Sequence, residues 1–285
     1  CSQSYLSPME MTATAQWFTP TSPVSIPSAT LMPPTETATQ MPTSLPTFTD
    51  VPDITATPRP TSTPDPRATA KPPILYYTQA GDTLPSITGR FGVTADKITS
   101  SEAIPETGLI SPNILLVIPD VLDNVFTSKS FMPDSEVVYS PSAVNFDYEN
   151  YILYANGYLS TYVEKMNTGN FTGVQIIRRV ALENSINPFL LMALLEYKGH
   201  WVLHEPTNLA EVEYPMGMVR LEERLLYRQL SWAVQQLNIG YYGWRAGILT
   251  ELKFKDGTVK HIDPKLNAGS AAIQYLFAQW YDPLE

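Results

Sequence analysis

Asn187-Pro188-Phe189-Leu190-Leu191-Met192-Ala193-Leu194-Leu195-Glu196-Tyr197-Lys198-Gly199-His200-Trp201 is the stretch on which the reading of the C-terminal half turns. Asn187 is a good N-cap, and Pro188 suits the first helical position, where the amide it lacks would have no partner. Residues 189–195 are all apolar, so the pattern predicts a helix buried on every side. It ends on one carboxylate, Glu196, near the negative pole of the helix dipole and against apolar neighbours. Both effects favour the protonated form, the state a general acid requires.

Outward from this helix the chain keeps a helical pattern. Thr172-Gly-Val-Gln175 is a capping box for a helix through Glu183. Ile152, Leu153, Leu159 and Val163 fall at helical spacing over 148–166, residues 221–237 form a longer amphipathic helix, and Asn267 can cap a final helix over 268–281. Residues 250–262 alternate around Asp256-Gly257, a hairpin signal. Residues 145–285 therefore read as a mainly α domain with one β-hairpin, large enough for its own core. Residues 121–144, polar and interrupted by Pro133 and Pro141, read as a linker.

Composition divides the chain further. About half of the 26 prolines precede Lys71, and residues 1–73 are Thr, Pro and Ser with few periodic apolar positions. Such a segment buries too little to offset the entropy of folding and is expected as a disordered tether. Fully extended it would reach on the order of 200 Å, and as a flexible coil roughly 45 Å. Cys1 is the lone cysteine, so no internal disulfide is possible. A cysteine at that position looks like the lipid-modified first residue of a mature bacterial lipoprotein with its signal peptide removed. That resemblance implies an extracytoplasmic protein attached to the membrane through lipid on Cys1. No stretch has the roughly 18 consecutive apolar residues of a membrane span. A net charge of -10, with scattered Lys and Arg, argues against nucleic acid as a partner.

Between the tether and the linker, residues 74–120 read as strand, helix, helix, strand: 74–79, 84–91 ending at Gly92, 95–101 capped by Thr94, and 114–118. Tyr77-Thr-Gln-Ala-Gly-Asp-Thr-Leu84, then Ile87, Arg90-Phe-Gly-Val93 and Leu115-Leu-Val-Ile-Pro119 resemble a LysM domain over nearly its whole length. The resemblance implies a small α+β domain with a βααβ fold that binds N-acetylglucosamine-containing glycans such as peptidoglycan. Its groove would lie between the loop of Gly81, Asp82, Thr83 and Leu84 and the segment of Thr107, Gly108, Leu109 and Ile110. Where many members carry Asn after the second helix, this chain has Ser100-Ser101-Glu102.

The 176–196 segment, from Ile176-Ile-Arg-Arg to Leu194-Leu-Glu196, is similar to the lysozyme-like superfamily and, within it, to soluble lytic transglycosylases; Leu266-Asn-Ala-Gly matches their late helix more weakly. This implies a glycan strand as substrate and Glu196 as proton donor to the glycosidic oxygen. A muramidase would need a second carboxylate, for which Glu205, Glu211, Glu213 and Glu251 are candidates. One departure stands out: aligned from Asn187-Pro188, the family's glutamate falls on Lys198, about 200° around the helix from Glu196. The same fold without the activity, a degenerate lysozyme-like domain in a peptidoglycan-binding or structural envelope protein, is therefore the alternative. Tyr241-Tyr242-Gly243-Trp244-Arg245 has the composition of a sugar-stacking site, with a buried aromatic turn as the other reading. His200, His204 and His261 do not form a metal spacing, and no cofactor is expected.

Overall fold

The computed structural model describes residues 71–285. Cys1 and nearly all of the tether expected over 1–73 lie outside the described residues.

Residues 71–120 are built on β1 (Ile74–Tyr77), α1 (Leu84–Phe91), a single 3₁₀ turn (Ala95–Lys97), β2 (Thr99–Ser100) and β3 (Leu115–Ile118). β3 lies between β1 and β2, antiparallel to both, with Ile74 opposite Ile118 and Thr99 opposite Val117. α1 opens on a capping box: Thr83 accepts from the Ser86 amide while Ser86 Oγ accepts from the Thr83 amide. It closes at Gly92, whose φ of 64° is the left-handed conformation glycine tolerates. Tyr76, Ile87, Phe91, Ile98, Ile110, Leu116 and Ile118 form the core. Each fully buried side chain of this kind contributes about 1.5–3 kcal/mol. The helix expected over 95–101 is replaced by the 3₁₀ turn and β2. Thr94 makes no capping bond, and the chain turns instead into pairing with β3, where Ser100 Oγ donates to the Leu115 carbonyl.

The remainder begins earlier than expected. α2 (Asp134–Val137) and α3 (Pro141–Val144) lie within the supposed linker. Val137 and Ala143 are fully buried, the Phe126 amide donates to the His261 carbonyl, and the Asn187 amide donates to the Val137 carbonyl. Residues 121–144 are thus part of the C-terminal core. Their apolar residues are too sparse to show a period and are buried by partners distant in sequence.

Next come α4 (Tyr148–Ala155), α5 (Tyr158–Thr161), β4 (Val163–Met166) and β5 (Gly169–Thr172). The single helical run expected over 148–166 is broken at Asn156, in the left-handed conformation, and its end becomes a second hairpin with Val163 opposite Thr172. α6 (Gly173–Asn184) carries its capping box, and α7 (Pro188–Gly199) starts from Asn187, whose side chain accepts from the Phe189 amide. α7 is buried along most of its length, but Ala193 and Tyr197 face solvent, so burial on every side is not realised. α8 (Leu209–Glu213) and a 3₁₀ turn (Leu221–Glu223) lead into the 20-residue α9 (Leu226–Arg245), longer at its C-terminal end than expected. β6 (Glu251–Lys253) and β7 (Val259–His261) form the expected hairpin, and α10 (Ala268–Ala278) closes the chain.

α9 and α10 cross closely because small residues meet: a Cβ on Gly240 would lie 2.6 Å from Ala272 Cα. Asn267 does not cap α10 with its side chain. Asp134 does so across the fold, accepting from the Gly269 amide at 2.8 Å and from Asn267 Nδ2 at 2.7 Å. The N-terminal part packs on the end of α9 through an equally close approach. A Cβ on Gly89 would lie 2.3 Å from the Gly247 carbonyl oxygen, and one on Gly247 would lie 2.5 Å from that of Ser86.

Candidate functional site

The structure joins the two loops expected to frame a glycan groove, but it uses their residues unequally. The Ile110 amide donates to the Asp82 carbonyl at 2.8 Å, and Thr83 bridges Leu109. Asp82 is buried, where its carboxylate accepts from Tyr76 Oη at 2.7 Å, from the Gln79 amide at 2.8 Å and from Arg90, itself buried. It clamps the turn from within and is not free to meet a sugar. Ile110 is a core residue and Thr83 is spent on the α1 cap. Gly81 lies against the Arg245 guanidinium. Thr107, Gly108 and Leu109 remain exposed, and Leu84 is partly exposed.

The space beside these loops is a groove of about 980 Å³ lined by Leu84, Pro85, Thr88, Ile98, Ile104 and Glu106, among others. Its apolar floor with hydroxyl and carboxylate edges suits a pyranose ring, which offers apolar C–H faces and polar rims. Ser100 and Glu102 also line it. Apart from Leu84, none of the residues expected at the site lines this groove. Ile104, a lone apolar residue before Pro105, was the available signal, but it has no period to mark it.

Glu196 sits in a different environment from the one expected at a bare helix end. Its carboxylate accepts from the Val202 and Leu203 amides at 2.8 and 2.9 Å and lies 2.5 Å from His204 Nδ1. Burial pushes its pKa up, but the Leu203 amide, His204 and the Val202 amide outweigh burial and hold it below the usual carboxylate range. The protonated state inferred from the helix end is reversed, because the chain folds back and supplies donors that a straight helix reading omits. No arginine pairs with Glu196 among the described residues; Arg245 lies against Gly81. Lys198, where the transglycosylase resemblance placed the acid, lies 5.1 and 4.9 Å from the Trp280 and Tyr281 ring centres, and burial lowers its pKa.

The other candidate carboxylates are held by partners of their own or lie exposed. Glu211 accepts from the Thr207 amide and hydroxyl and from Asn208, Glu213 pairs with Arg224, and Glu251 lies 3.5 Å from His261 Nε2. Glu205 is exposed. The aromatic run does not form a sugar platform either. It is the last turn of α9, with Trp244 buried and donating to the Leu266 carbonyl at 3.0 Å, and Tyr241 also buried. Only Tyr242 and Arg245 of the four face outward. Trp201 is fully buried, donating to the Glu211 carbonyl at 2.9 Å between Tyr158 and Tyr162.

The family model described as LasA, N-terminal domain, matches residues 130–284. No curated protein and no solved structure matches the chain. The match begins within the segment expected as a linker. Among the described residues, no helix is long and apolar enough to cross a membrane.

Proposed function

The chain belongs to the LasA N-terminal domain family, a cell-wall-related assignment, through a match that covers more than half of its length; on that premise we propose that it is a cell-envelope protein that binds N-acetylglucosamine-containing glycan without cleaving it. The glycan would lie in the groove beside α1, the part of the chain that resembles LysM. The C-terminal domain would hold that module in place, and lipid on Cys1 would attach the whole to the membrane. The observation that carries this reading is the open groove with an apolar floor at residues 84–106.

Binding is favoured over cleavage by the state of Glu196. A proton donor must carry a proton at working pH and reach the leaving oxygen. Glu196 is held ionised, and its oxygens are occupied by loop 202–204.

Sedimentation with insoluble peptidoglycan tests the binding. The unmutated protein is expected in the pellet, displaced by N-acetylglucosamine oligomers, and Thr88→Glu, which puts a charge into the groove, is expected to stay in solution. Retention of the variant equal to that of the parent would remove the groove from the reading. Zymography on the same material is expected to show no clearing, and a cleared band from the unmutated protein would overturn the non-catalytic part.

A further inference from the structure

A second cavity, of about 460 Å³, opens between the β4–β5 hairpin, α6 and the start of α9. Its wall carries Lys165, Arg179, Arg224 and Arg228 against one carboxylate, Glu164. Glu164, with Glu183 and Glu213 paired to Arg179 and Arg224, offsets part of this charge, so the cations exceed the carboxylates only slightly. Glu164 is buried and already accepts from Tyr162 Oη at 3.1 Å and from the Tyr227 amide at 3.2 Å.

The guanidinium groups are only partly used. Arg179 Nε donates to Glu183 at 2.7 Å, Arg224 pairs with Glu213, and Arg228 donates to the Glu222 carbonyl. Each guanidinium has five donors, so capacity remains on all three. The Arg179 carbon lies 5.4 and 5.1 Å from the ring centres of Phe171 and Tyr227, which restricts its plane before any ligand arrives. Lys165 makes no salt bridge among the described residues. Two further observations set the site apart from a solvated basic surface. Arg224 Nε is buried with no hydrogen-bond partner, a state native proteins seldom leave uncompensated. Leu225, between Arg224 and the first turn of α9, holds a φ of 75°, a conformation unfavourable for a branched side chain.

We propose that this cavity is an oxyanion site, taking a carboxylate or phosphate group between the Arg179, Arg224 and Arg228 guanidiniums with Lys165 at its rim. Planar donors in fixed positions favour a ligand with two or three oxygens over a lone halide. The site is separate from the glycan groove, and its ligand need contain no sugar.

Calorimetric titration of the full chain tests it with inorganic phosphate, with an N-acetylated dipeptide bearing a free C-terminal carboxylate, and with the amide of that dipeptide. Saturable binding of phosphate or of the free peptide is expected, weakening with added salt, while the amide does not bind. Preference for the peptide points to peptide carboxylates as the source of the ligand, and preference for phosphate points to a phosphodiester polymer. Arg228→Gln, an exposed position, is expected to weaken binding about tenfold with unchanged thermal unfolding, and Lys165→Gln to weaken it less. Absence of saturable binding by both anions in the millimolar range would overturn the proposal. So would equal binding of the amide, or unchanged affinity in folded Arg228→Gln.

Discussion

Two carboxylates show how little a residue's type says about its work. Asp82 lies in a motif that resembles a glycan-contacting turn, yet it is the partner of a buried arginine; Arg90 is 4 % exposed. Removing one member of such a pair leaves a buried charge uncompensated. Asp82→Ala is therefore expected to cost about 3–5 kcal/mol in denaturant unfolding. Glu196 joins α7 to the loop that follows it. Glu196→Gln keeps the shape but loses charge-assisted bonds, with an expected cost of about 1–3 kcal/mol near neutral pH. The sign of its pH dependence follows from the depressed carboxyl. The stabilisation is present above the unfolded-state pKa and is lost as pH falls through the lower folded-state value. Thermal unfolding of parent and Glu196→Gln should accordingly converge as the solution is acidified. A difference that widens toward acid would show a carboxyl held protonated.

Among the elements, α7 and α10 have starts of different kinds. Asn187 caps α7 from the adjacent position, so the signal is local and readable. α10 is capped by Asp134, 135 residues from the Gly269 amide it accepts. Asp134→Ala is expected to lower stability by about 1 kcal/mol, whereas Asp134→Asn, which keeps an acceptor, should lose less. Equal losses would assign the effect to charge rather than to capping. The β4–β5 hairpin was hidden for a related reason. Val163 and Met166, three residues apart, suit one face of a helix, and the strand was decided by pairing with residues 169–172.

On the scale of the whole molecule, residues 71–120 are joined to the C-terminal domain by backbone contact rather than by a flexible link. Gly89 and Gly247 leave room for the chains to touch, Arg90 lies 5.6 Å from the Trp244 ring centre, and Arg245 covers Gly81. Gly89→Val would drive a side chain into the Gly247 carbonyl and separate the two parts while leaving each core intact. Limited proteolysis is expected to cut this variant within 119–124 and to spare the parent; equal resistance would mean that the contact is dispensable. A fixed junction also gives the groove beside α1 and the basic cavity set positions in one body.

By itself the sequence determined several features that rest on near neighbours, though not the caps expected at Thr94 and Asn267: the capping box at Thr172, the Asn187-Pro188 helix start, the Gly92 stop and the Asp256-Gly257 hairpin. These are decided by bonds spanning two to four residues, so residue type and spacing suffice. Only the tertiary structure decided that 121–144 is core, that Asp134 caps α10, that Trp244 is buried, and that the Glu196 carboxylate is gripped by 202–204. Each of those depends on which distant groups arrive as donors or as apolar cover. A carboxylate's protonation in particular is set by the donors around it, and these are placed by the fold.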